Sequence, residues 1–472
     1  MGLYETLMEY QNKNYYPMHM PGHKRNSSLF LMDNPYGIDI TEIEGFDNLH
    51  DAKDILKDAM ERAAKVYGSE DTHFLVNGST VGILAGIAAC TNRGDRILVA
   101  RNCHKAVFNA IFLNDLKPMY IYPQIEPNFG INGGISAEDV KEMLITHPDI
   151  KLIVITSPTY EGILSNIREI ADAAHSMGIP LLVDEAHGAH LGFHSYFPQN
   201  AIAMGADVVI HSVHKTMPSF TQTALIHINS NLVKKAKIKE YLTIYQTSSP
   251  SYVLMAGIDC CMELVEKKGK ELFGNYANKL MDFYRDMEKL KRLRVLTKDV
   301  IKLNMAKILD IDPSKIVISC RNTNITGDEL YYILLDNYKI QVEMASTDYV
   351  IAMTSIGDSM DGFNRLRNAL LEIDDQLSIV EIKDSGETKN IVLDIELSPY
   401  EAYNREGELI PQSQAEGMIS KEYAYLYPPG IPLLVPGEKI TKECLELFKY
   451  YKEHNLIIKG LDKAGYIQVV SG

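Results

Sequence analysis

Residues 207–217 read DVVIHSVHKTM, an apolar and β-branched run that leads directly into Ser212, His214 and Lys215. A run of this kind is typical of a buried strand. Lysine is rarely buried without a partner, because taking an ammonium group out of water is costly. Either the strand ends there and the ammonium of Lys215 reaches solvent, or Lys215 has a chemical role. The residues around the other strands distinguish these alternatives.

This stretch is one of a series of short apolar runs that alternate with helical segments such as SAEDVKEMLITH and IREIADAAHSMG. The predicted strands are HFLV (73–76), RILVA (96–100), PMYIYP (118–123), KLIVITSP (151–158), PLLVDEAH (180–187), DVVIHSVH (207–214) and, closing the set, TALIHIN (223–229). Strands that are apolar along their whole length and separated by helices form parallel sheets covered on both faces. The sequence therefore predicts an α/β fold with a mostly parallel sheet flanked by helices.

The remaining segments predict four parts: an N-terminal arm at 1–35, a large domain at 36–265, a small α+β domain at 266–383 and a C-terminal domain at 384–472. The arm is rich in Tyr, Asn, Met and Pro, and we interpret it as lying over another surface. After a helical segment at 257–293, KIVISC, YKIQVEMA and YVIAMTS predict strands of the small domain. The polar DSGETKN (384–390) marks the last boundary. The prolines of YPPGIPLLVPGE (427–438) exclude a central strand or helix there.

The first helix of the large domain is predicted from DAKDILKDAMERAAKVYG (51–68). Its helical period places five apolar residues on one face: Ile55, Leu56, Ala59, Met60 and Ala63. Gly68 is placed to cap the C-terminal end of this helix.

Composition limits the classes of function. The chain has 47 Lys and Arg against 62 Asp and Glu, a formal net charge of −15. This charge argues against a nucleic-acid partner, which usually needs a basic surface, and modestly favours a cationic substrate. We find no secretion signal and no apolar run as long as a membrane span. The six cysteines form no CxxC pair, so we expect reduced thiols in a cytoplasmic protein without a membrane partner.

Polar residues follow four of the predicted strands, at the edge where ligands of open α/β sheets bind. NGST (77–80) follows HFLV and opens an apolar helix. Free N–H groups at such a helix start suit a phosphate, and a Ser/Thr N-cap explains this short stretch equally well. His104 comes after RILVA, Asp184 and then His187 come after PLLV, and Lys215 comes after the opening stretch. A carboxylate that ends a buried strand needs solvent or a cation.

One ligand accounts for all four strand ends, namely pyridoxal 5′-phosphate (PLP). Its phosphate needs the Gly-Ser-Thr helix start, its pyridine nitrogen a carboxylate, its aldehyde a lysine for a Schiff base, and its ring a flat group for stacking. The chain between Asp184 and Lys215 is long enough for one strand–loop–strand step across the sheet. Ser212 and His214 can add hydrogen bonds to the phosphate and to the Schiff-base side. The complete set favours a chemical role for Lys215.

A metal site is the competing interpretation. HGAHLGFH contains His187, His190 and His194 at helical spacing, and Asp184 can join them. Two glycines and the position directly after a strand argue against a helix there, and no HExxH motif occurs. Zinc would also leave Lys215 and the Gly-Ser-Thr turn unexplained. We therefore predict a PLP site and no metal.

Over most of its length the chain resembles the Orn/Lys/Arg decarboxylases of the PLP fold-type-I, aspartate-aminotransferase-like class. The matching segments are MPGHK (20–24), DITEIEGFDNLH (39–50), NGST (77–80), RNCHKA (101–106), SPTYEGI (157–163), VDEAHGAH (183–190), SVHK (212–215), TSSPSY (247–252) and YPPGIPLLVPGE (427–438). Lysine after Ser-X-His is specific when Asp-X-Ala-His precedes it at this distance. The proline-rich segment is more specific still, because general aminotransferases lack it. The resemblance implies PLP fold type I with smaller α+β C-terminal domains.

The resemblance also implies a role for each candidate residue. Lys215 would form the Schiff base, Asp184 would pair with the pyridine nitrogen, and His104 would stack on the ring. The phosphate would be held by Ser79, Thr80 and Ser212. His214 would contact the Schiff base or help to protonate the product carbon, and His187 would lie beside the phenolic oxygen.

Oligomeric state is a further implication of the resemblance. Ser249, within TSSPSY, would reach the cofactor of a neighbouring subunit, because such active sites form at a dimer interface. The larger enterobacterial relatives carry tryptophan where this chain has His187, and this chain has no tryptophan. It also lacks their long N-terminal wing domain. We therefore expect a homodimer or a dimer of dimers with shared active sites, and not a large ring.

The implied reaction is PLP-dependent α-decarboxylation of a basic L-amino acid to CO₂ and the corresponding di- or polyamine. Arginine, lysine and ornithine are all candidates, and the short form of the chain favours arginine. Another fold-type-I reaction, such as aminotransfer or C–S lysis, remains an alternative because the fold hosts many chemistries. A non-catalytic relative is the alternative from a different class, although such relatives usually lose the lysine.

Overall fold

The structure is a computed structural model that describes residues 10, 12–29, 35–299, 310–380, 390–426, 431–453, 458–461 and 465–471. All seven predicted strands of the large domain are present, and they form one sheet. Their bounds are β1 (Asp71–Leu75), β2 (Arg96–Ala100), β3 (Lys117–Ile121), β4 (Ile150–Thr156), β5 (Leu181–Asp184), β6 (Val208–His211) and β7 (Ala224–Ile228).

The strand order gathers the carboxyl ends of most strands along one edge of this sheet. Neighbouring strands follow the order β1-β7-β6-β5-β4-β2-β3. β7 runs antiparallel to both of its neighbours, and the remaining pairs are parallel, so the prediction of a mostly parallel sheet is confirmed. Asp184 lies opposite Ile210 in this register. The segments that follow β5 and β6 therefore start side by side.

Helices cover the sheet. Those of the large domain are α1 (Ile55–Tyr67), α2 (Gly78–Cys90), α3 (Lys105–Leu113), α4 (Ala137–Thr146), α5 (Ile167–His175), α6 (Val213–Thr216) and α7 (Lys235–Tyr245). Every residue of β5, β6 and β7 is buried, which requires cover on both faces of the sheet. A Cβ at Gly82 of α2 would lie 2.6 Å from Cδ1 of Leu75. Glycine at this position thus lets the start of α2 lie close against the sheet.

The predicted helix at 51–68 is present as α1, with one difference in its buried face. Gly68 adopts the left-handed conformation (φ +73°) and its N–H bonds to Lys65 O, as expected of a C-terminal cap. The predicted face residues that are buried are Leu56, Ala59, Met60 and Ala63. Ile55 is 52% exposed, so its assignment to this face is wrong. Helical side chains tilt toward the N-terminus, and that of the first residue extends past the packed surface.

A long helix, α8 (Tyr252–Met287), leads out of the large sheet, and the predicted boundary at 265/266 lies inside it. The small domain adds helices α9 (Gly327–Tyr338) and α10 (Met360–Gln376) and strands β8 (Arg294–Val295), β9 (Lys315–Ser319), β10 (Met344–Ala345) and β11 (Tyr349–Met353). These strands form an antiparallel sheet in the order β8-β9-β11-β10, which confirms the strands predicted in KIVISC and YVIAMTS. A strand of the arm, Tyr16–Met18, pairs in parallel with Ile340–Val342. The arm therefore lies on the small domain.

The C-terminal part has an apolar cluster of its own. Its elements are α11 (Pro399–Asn404), α12 (Lys442–Glu453), a two-stranded sheet of Gly407–Pro411 with Tyr466–Val470, and a three-stranded sheet of Pro432–Leu434, Ala424–Leu426 and Ile458–Lys459. Pro432–Leu434 is an edge strand, which agrees with the exclusion of a central one. Arg101 and Glu438 form an ion pair of 3.1 Å that is 8% and 1% exposed and joins this part to the end of β2. Most of DSGETKN, and the YPPG motif, lie outside the described residues.

Candidate active site

Lys215 lies in α6, the single helical turn that follows β6. Its Nζ atom is 3.0 Å from Nε2 of His187, so the side chain contacts another residue of the sheet edge. Burial lowers the pKa of Lys215 from the ordinary lysine value, although the carboxylates of Asp184 and Glu343 act in the opposite direction. The helical turn after β6 therefore carries an amine, that of Lys215, with an increased tendency to be neutral.

Asp184 is the last residue of β5 and is 3% exposed. Its Oδ1 atom accepts the N–H of Ala186 at 3.2 Å. Burial raises the pKa of this carboxyl, and the charge of Lys215, the Ala186 N–H and the ring of His211 act to lower it. A carboxylate buried in this way favours a cationic hydrogen-bond donor beside it.

His187, three residues after Asp184, lies between two lysines. Its Nε2 faces Nζ of Lys215 at 3.0 Å, and its Nδ1 faces Nζ of Lys315 at 2.6 Å. The ring of Tyr160 meets it edge-on, with 4.8 Å between the ring centroids. Burial, followed by the charges of Lys215 and Lys315, lowers the pKa of His187 well below its usual value. The imidazole is therefore neutral at physiological pH.

His104 is the N-cap residue of α3, and its Nδ1 atom accepts the N–H of Ala106 at 3.2 Å. Burial, with Lys215 and Lys105 adding to it, lowers the pKa of His104 to about 4. The cap fixes the ring at the end of β2, and the charge of Lys215 contributes to its lowered pKa. His104 is thus both a helix cap and a flat, neutral group near the lysine.

The first turn of α2 presents N–H groups beside two hydroxyl groups. Its N-cap residue, Asn77, makes no side-chain cap and instead accepts the N–H of Thr247 at 3.1 Å. Ser79 and Thr80 lie inside the first turn, so neither is the Ser/Thr N-cap that the sequence left open. Oγ of Ser212 donates to Oγ of Ser79 at 2.9 Å. This arrangement is what an anion such as a phosphate needs.

The two remaining candidates occupy different surroundings. Nδ1 of His214 donates to the carbonyl of Thr223 at 2.9 Å, and burial lowers the pKa of this ring to about 4. Ser249 is exposed, and its N–H donates to Oγ1 of Thr247 at 3.2 Å. The structure therefore brings His214 to Lys215 and places Ser249 on the surface of this chain.

The histidines of the metal interpretation have separate partners. Nε2 of His190 lies 2.9 Å from Oδ1 of Asp312, and Nδ1 of His194 accepts a backbone N–H at 3.1 Å, while His187 lies between its two lysines. Residues 185–197 form turns and bends instead of a helix. Within the described ranges, no group of three or more His, Cys, Asp or Glu side chains is arranged to hold a metal ion.

The sequence analysis missed a set of residues contributed by the small domain, the arm and the segment after β4. Lys315 is the first residue of β9 and reaches His187. The hydroxyl of Tyr160 donates to Oε1 of Glu343 at 2.7 Å, and Oε2 of Glu343 accepts the N–H of Met20 at 2.8 Å. These contacts bring the small domain, the arm and the segment after β4 together around His187 and Lys215.

Signals for some of these residues were present. Tyr160 lies inside SPTYEGI and Met20 inside MPGHK, two segments that match the family without an obvious chemical role. Lys315 begins KIVISC, where a buried strand starts with a lysine. A lysine at the end of a buried strand is the same signal that indicated Lys215. Glu343 has no local signal, because its position is set by pairing within the small domain.

The fold and this edge of the sheet define a class of protein, the aspartate-aminotransferase-like α/β proteins of PLP fold type I. Within that class, the chain belongs to the Orn/Lys/Arg decarboxylase family. The family's major domain matches residues 1–360, and its C-terminal domain matches residues 386–463.

Relatives and a solved structure agree with this assignment. The arginine decarboxylase of Bacillus subtilis is 33% identical over 451 residues, which cover 93% of this chain and 91% of the relative. That of Halalkalibacterium halodurans is 34% identical over 462 residues, which cover 96% and 93% of the two chains. The crystal structure of the Francisella novicida lysine decarboxylase LdcF matches with a TM-score of 0.80 at 21% identity, over 99% of this chain and 83% of that one. At this identity the structural match shows the fold alone.

Proposed function

We propose that this chain is a PLP-dependent decarboxylase that converts a basic L-amino acid, arginine in the first place, into CO₂ and the corresponding amine. The observation that carries the proposal is the placement of Asp184 and Lys215 after adjacent strands, where burial favours the neutral form of each. The family and the arginine decarboxylases of B. subtilis and H. halodurans, at 33% and 34% identity, support it.

The residues at the sheet edge fit PLP. Asp184 offers a buried carboxylate with one backbone donor on Oδ1, which suits the N–H of a protonated pyridine. Lys215 offers the amine for a Schiff base. The phosphate ligands would be Ser79, Thr80 and Ser212. The uncapped start of α2 adds backbone N–H groups and the positive end of a helix dipole.

When bound, PLP supplies an electron sink for the pair of electrons that the departing carboxylate leaves behind. Asp184 would keep the pyridine nitrogen protonated, which a neutral side chain cannot do as well. His104, neutral because its pKa is about 4, would cover the ring without adding a charge. His187 would lie beside the phenolic oxygen. Lys215, with a pKa lowered mainly by burial, would return as a free amine once the substrate amine has replaced it.

The hydrogen bond to Thr223 fixes which ring nitrogen of His214 carries the hydrogen. A carbonyl only accepts, so Nδ1 carries the hydrogen that bonds to Thr223 O, and Nε2 is an acceptor in the neutral ring. With a pKa of about 4, the ring must take up a proton at Nε2 before it can protonate the product carbon. We therefore expect His214 to accept a hydrogen bond in the resting site.

A cationic substrate is favoured by the charges around the site. Glu343 acts to raise the pKa of Lys215 and of Lys315, and its Oε1 accepts the hydroxyl of Tyr160, whose ring centroid lies 5.8 Å from Nζ of Lys315. A guanidinium group would gain from the same field, and the net charge of −15 favours its approach. These charges, together with the named relatives, support arginine over an uncharged amino acid.

We also propose a homodimer or a dimer of dimers in which Ser249 reaches the neighbouring subunit's cofactor. In support, Ser249 is exposed and belongs to a loop whose Thr247 contacts Asn77, next to the start of α2. A cytoplasmic location is supported by six free cysteines. Across the described residues, no helix combines the length and the apolar character needed to cross a membrane.

The test is an absorbance scan of the purified protein with PLP, followed by separate addition of arginine, lysine and ornithine while CO₂ is measured. A visible band that borohydride removes, and that Lys215→Ala lacks, supports the Schiff base. CO₂ and an amine from arginine support the proposed reaction. A keto acid, or a band without CO₂ from any of the three, would point to another fold-type-I reaction. Absence of the band in the wild type would refute the cofactor assignment.

A further inference from the structure

Lys315 belongs to the small domain, and its side chain extends to His187 and Lys215 of the large domain. It is the first residue of β9, and its side chain is 2% exposed. Its Nζ lies 2.6 Å from Nδ1 of His187, on the side of the ring opposite Lys215. The two lysines and the imidazole thus form a continuous chain of hydrogen bonds across the two domains.

The surrounding backbone is built to hold this lysine stem. A Cβ at Gly162 would lie 2.8 Å from Cβ of Lys315, and Gly162 has a φ of +95°, a conformation that favours glycine. The N–H of Asp312 donates to Gly162 O at 2.8 Å, and Ile163–Leu164 pairs with Asp310–Ile311. The segment after β4 is therefore fastened to the strand segment that precedes Lys315.

The hydrogen-bond donors and acceptors of Lys215, His187 and Lys315 constrain each other. A charged ammonium group has three donors and no acceptor, and a neutral imidazole has one donor nitrogen and one acceptor nitrogen. The His187 ring is neutral because burial and the adjacent lysines lower its pKa well below the usual value. Only one of the two lysines can then donate to the ring. The other must be a neutral amine whose nitrogen accepts a hydrogen bond from the ring N–H.

The three contacts of Lys315 Nζ match the three N–H donors of an ammonium group, so we assign Lys315 as the donor; its pKa of about 7 keeps this form populated at and below neutral pH. Besides Nδ1 of His187, its Nζ contacts Sδ of Met353 at 3.3 Å and lies 5.8 Å from the centroid of the Tyr160 ring. A thioether is a weak acceptor and the face of a phenol ring attracts a cation, so each of these groups suits an N–H donor. Nε2 of His187 then carries the ring hydrogen and donates a hydrogen bond to Nζ of Lys215.

We propose that Lys315 is a positioning residue that holds the neutral ring of His187 in the tautomer with its proton on Nε2, directed at Lys215. This inference rests on the proposed function and adds a small-domain residue to its site. Lys215 is thereby presented as a neutral amine, the form that attacks a carbonyl group. Once Lys215 is joined to PLP, the same N–H can bond to the phenolic oxygen, which is ortho to the aldehyde. The contact of Lys315 with His187 thus adds a residue of the small domain to the site on the large one.

Other charged groups also act on Lys315. Burial lowers the pKa of Lys315 to about 7, with Asp312 and Glu343 raising it and Lys215 and Lys24 lowering it further. Because all four could alter a pH profile, the test compares substitutions at Lys315 and His187 in the same background and leaves these groups in place.

The experiment measures two quantities without substrate: the rate at which the cofactor-free protein captures PLP, and the pH titration of the visible absorbance band. Lys315→Met keeps the length of the side chain but removes the donor. We expect the pH profile of the capture rate and the pH titration of the absorbance band each to move by about one pH unit. At a pH below the midpoint of the capture profile, this shift is a tenfold change in the capture rate. Lys315→Arg should stay close to the wild type. The control, Lys279→Met, removes a partly buried lysine that donates to Asp358 O, and should change neither profile.

A double-substitution cycle tests whether Lys315 acts through His187. In the His187→Phe background, Lys315→Met should have no further effect on either profile, since residues that act through one another are not additive. Additive shifts, or wild-type profiles for Lys315→Met alone, would overturn the proposal. Shifts that also appear in Lys279→Met would reduce the effect to general destabilisation and overturn it equally.

The tautomer can be measured without cofactor. In protein labelled with ¹⁵N-histidine, solid-state ¹⁵N shifts report which ring nitrogen is protonated, and His187→Phe identifies the signal. We expect a neutral ring protonated on Nε2 in the wild type and a mixture in Lys315→Met. A ring protonated on Nδ1 in the wild type would overturn the proposal. Because this measurement does not depend on PLP, its failure is distinguishable from failure of the proposed function.

Discussion

The carboxyl edge of the large sheet contains the half-buried Lys215, the face where the arm meets the small domain contains the buried Lys24, and the two lysines differ in their partners. Nζ of Lys215 faces an imidazole that can give or receive a proton. Nζ of Lys24 donates to three carbonyl oxygens: those of Pro17 at 3.1 Å, His19 at 2.8 Å and Met353 at 2.7 Å.

On this difference we base the prediction that Lys215 is reactive and Lys24 is structural. Three carbonyl groups occupy all three N–H groups of an ammonium and favour its charged form, so Lys24 is suited to fastening the arm to β11. A single imidazole leaves the protonation of Lys215 open. Burial alone is therefore a poor guide to function, and the chemistry of the contacting atoms is a better one.

The largest expected effect is on activity at Lys215. Lys215→Ala should lower arginine decarboxylation by several orders of magnitude, because the nucleophilic amine is lost. Its free energy of unfolding should fall by no more than about 1–3 kcal/mol, because the hydrogen bond with His187 and the charge beside Asp184 are lost. The checks are CO₂ release under saturating arginine and urea unfolding. Lys237→Ala, which removes a donor to Thr91 O, is the control and should keep its activity. Turnover near the wild-type rate in Lys215→Ala would end the proposed assignment.

The second expected effect is a loss of kcat on substitution of Asp184, at the same edge of the sheet. Asp184→Asn should lower kcat by about 100-fold or more, because a neutral amide cannot stabilise a charged pyridine N–H. Asp207→Asn is a matched control: Asp207 is also fully buried, but it lies at the opposite end of β6, where it bonds to His175 and to Leu181 N–H. That variant should lose stability and not kcat. Equal losses of kcat in the two variants would contradict the assignment of Asp184.

The third prediction concerns Lys24, where the effect should be on stability. Lys24→Met leaves three buried carbonyl groups without their donor, at a cost of about 3 kcal/mol in the free energy of unfolding. Urea unfolding measures this change. Lys13→Met, at an exposed lysine of the same arm, should be neutral. If Lys24→Met kept full stability but lost PLP capture, Lys24 would belong with the reactive lysines and the comparison would fail.

The last effect is absent at neutral pH and appears as a gradual loss of stability on acidification of the cofactor-free protein. His104 and His214 have a pKa of about 4 in the folded chain against 6.5 for an unperturbed histidine, so the unfolded chain binds more protons between these values. Their contribution is complete above pH 6.5 and is lost as the pH falls toward 4. His104→Asn keeps a capping side chain but cannot titrate, and should reduce the slope by about 1.4 kcal/mol per pH unit. An unchanged slope would contradict the neutral state of His104.

Much of the large domain could be predicted from local patterns. Alternation of apolar strands with helices specifies a covered parallel sheet, and such a sheet directs the residues after its strands to one edge. Asp184, His104, Ser212 and Lys215 could be predicted as candidates for that reason, and their roles stay predictions. Ile55 was misassigned because helical period identifies a face but not the point at which packing begins. The contact of Ser249 with a second subunit stays a prediction, because it depends on a partner chain.

The sequence by itself determined the sheet, its functional edge and the family, because strand period, helix starts and the spacing of Asp184 and Lys215 are local properties of the chain. Only the tertiary structure decided that Lys315, Tyr160 and Glu343 belong with them. These residues come from a different domain and a different segment, and their proximity depends on how the small domain and the arm pack on the large sheet. Hydrogen bonds such as that from Lys315 to His187 act over about 3 Å, and no sequence spacing encodes a distance of that size between separate domains.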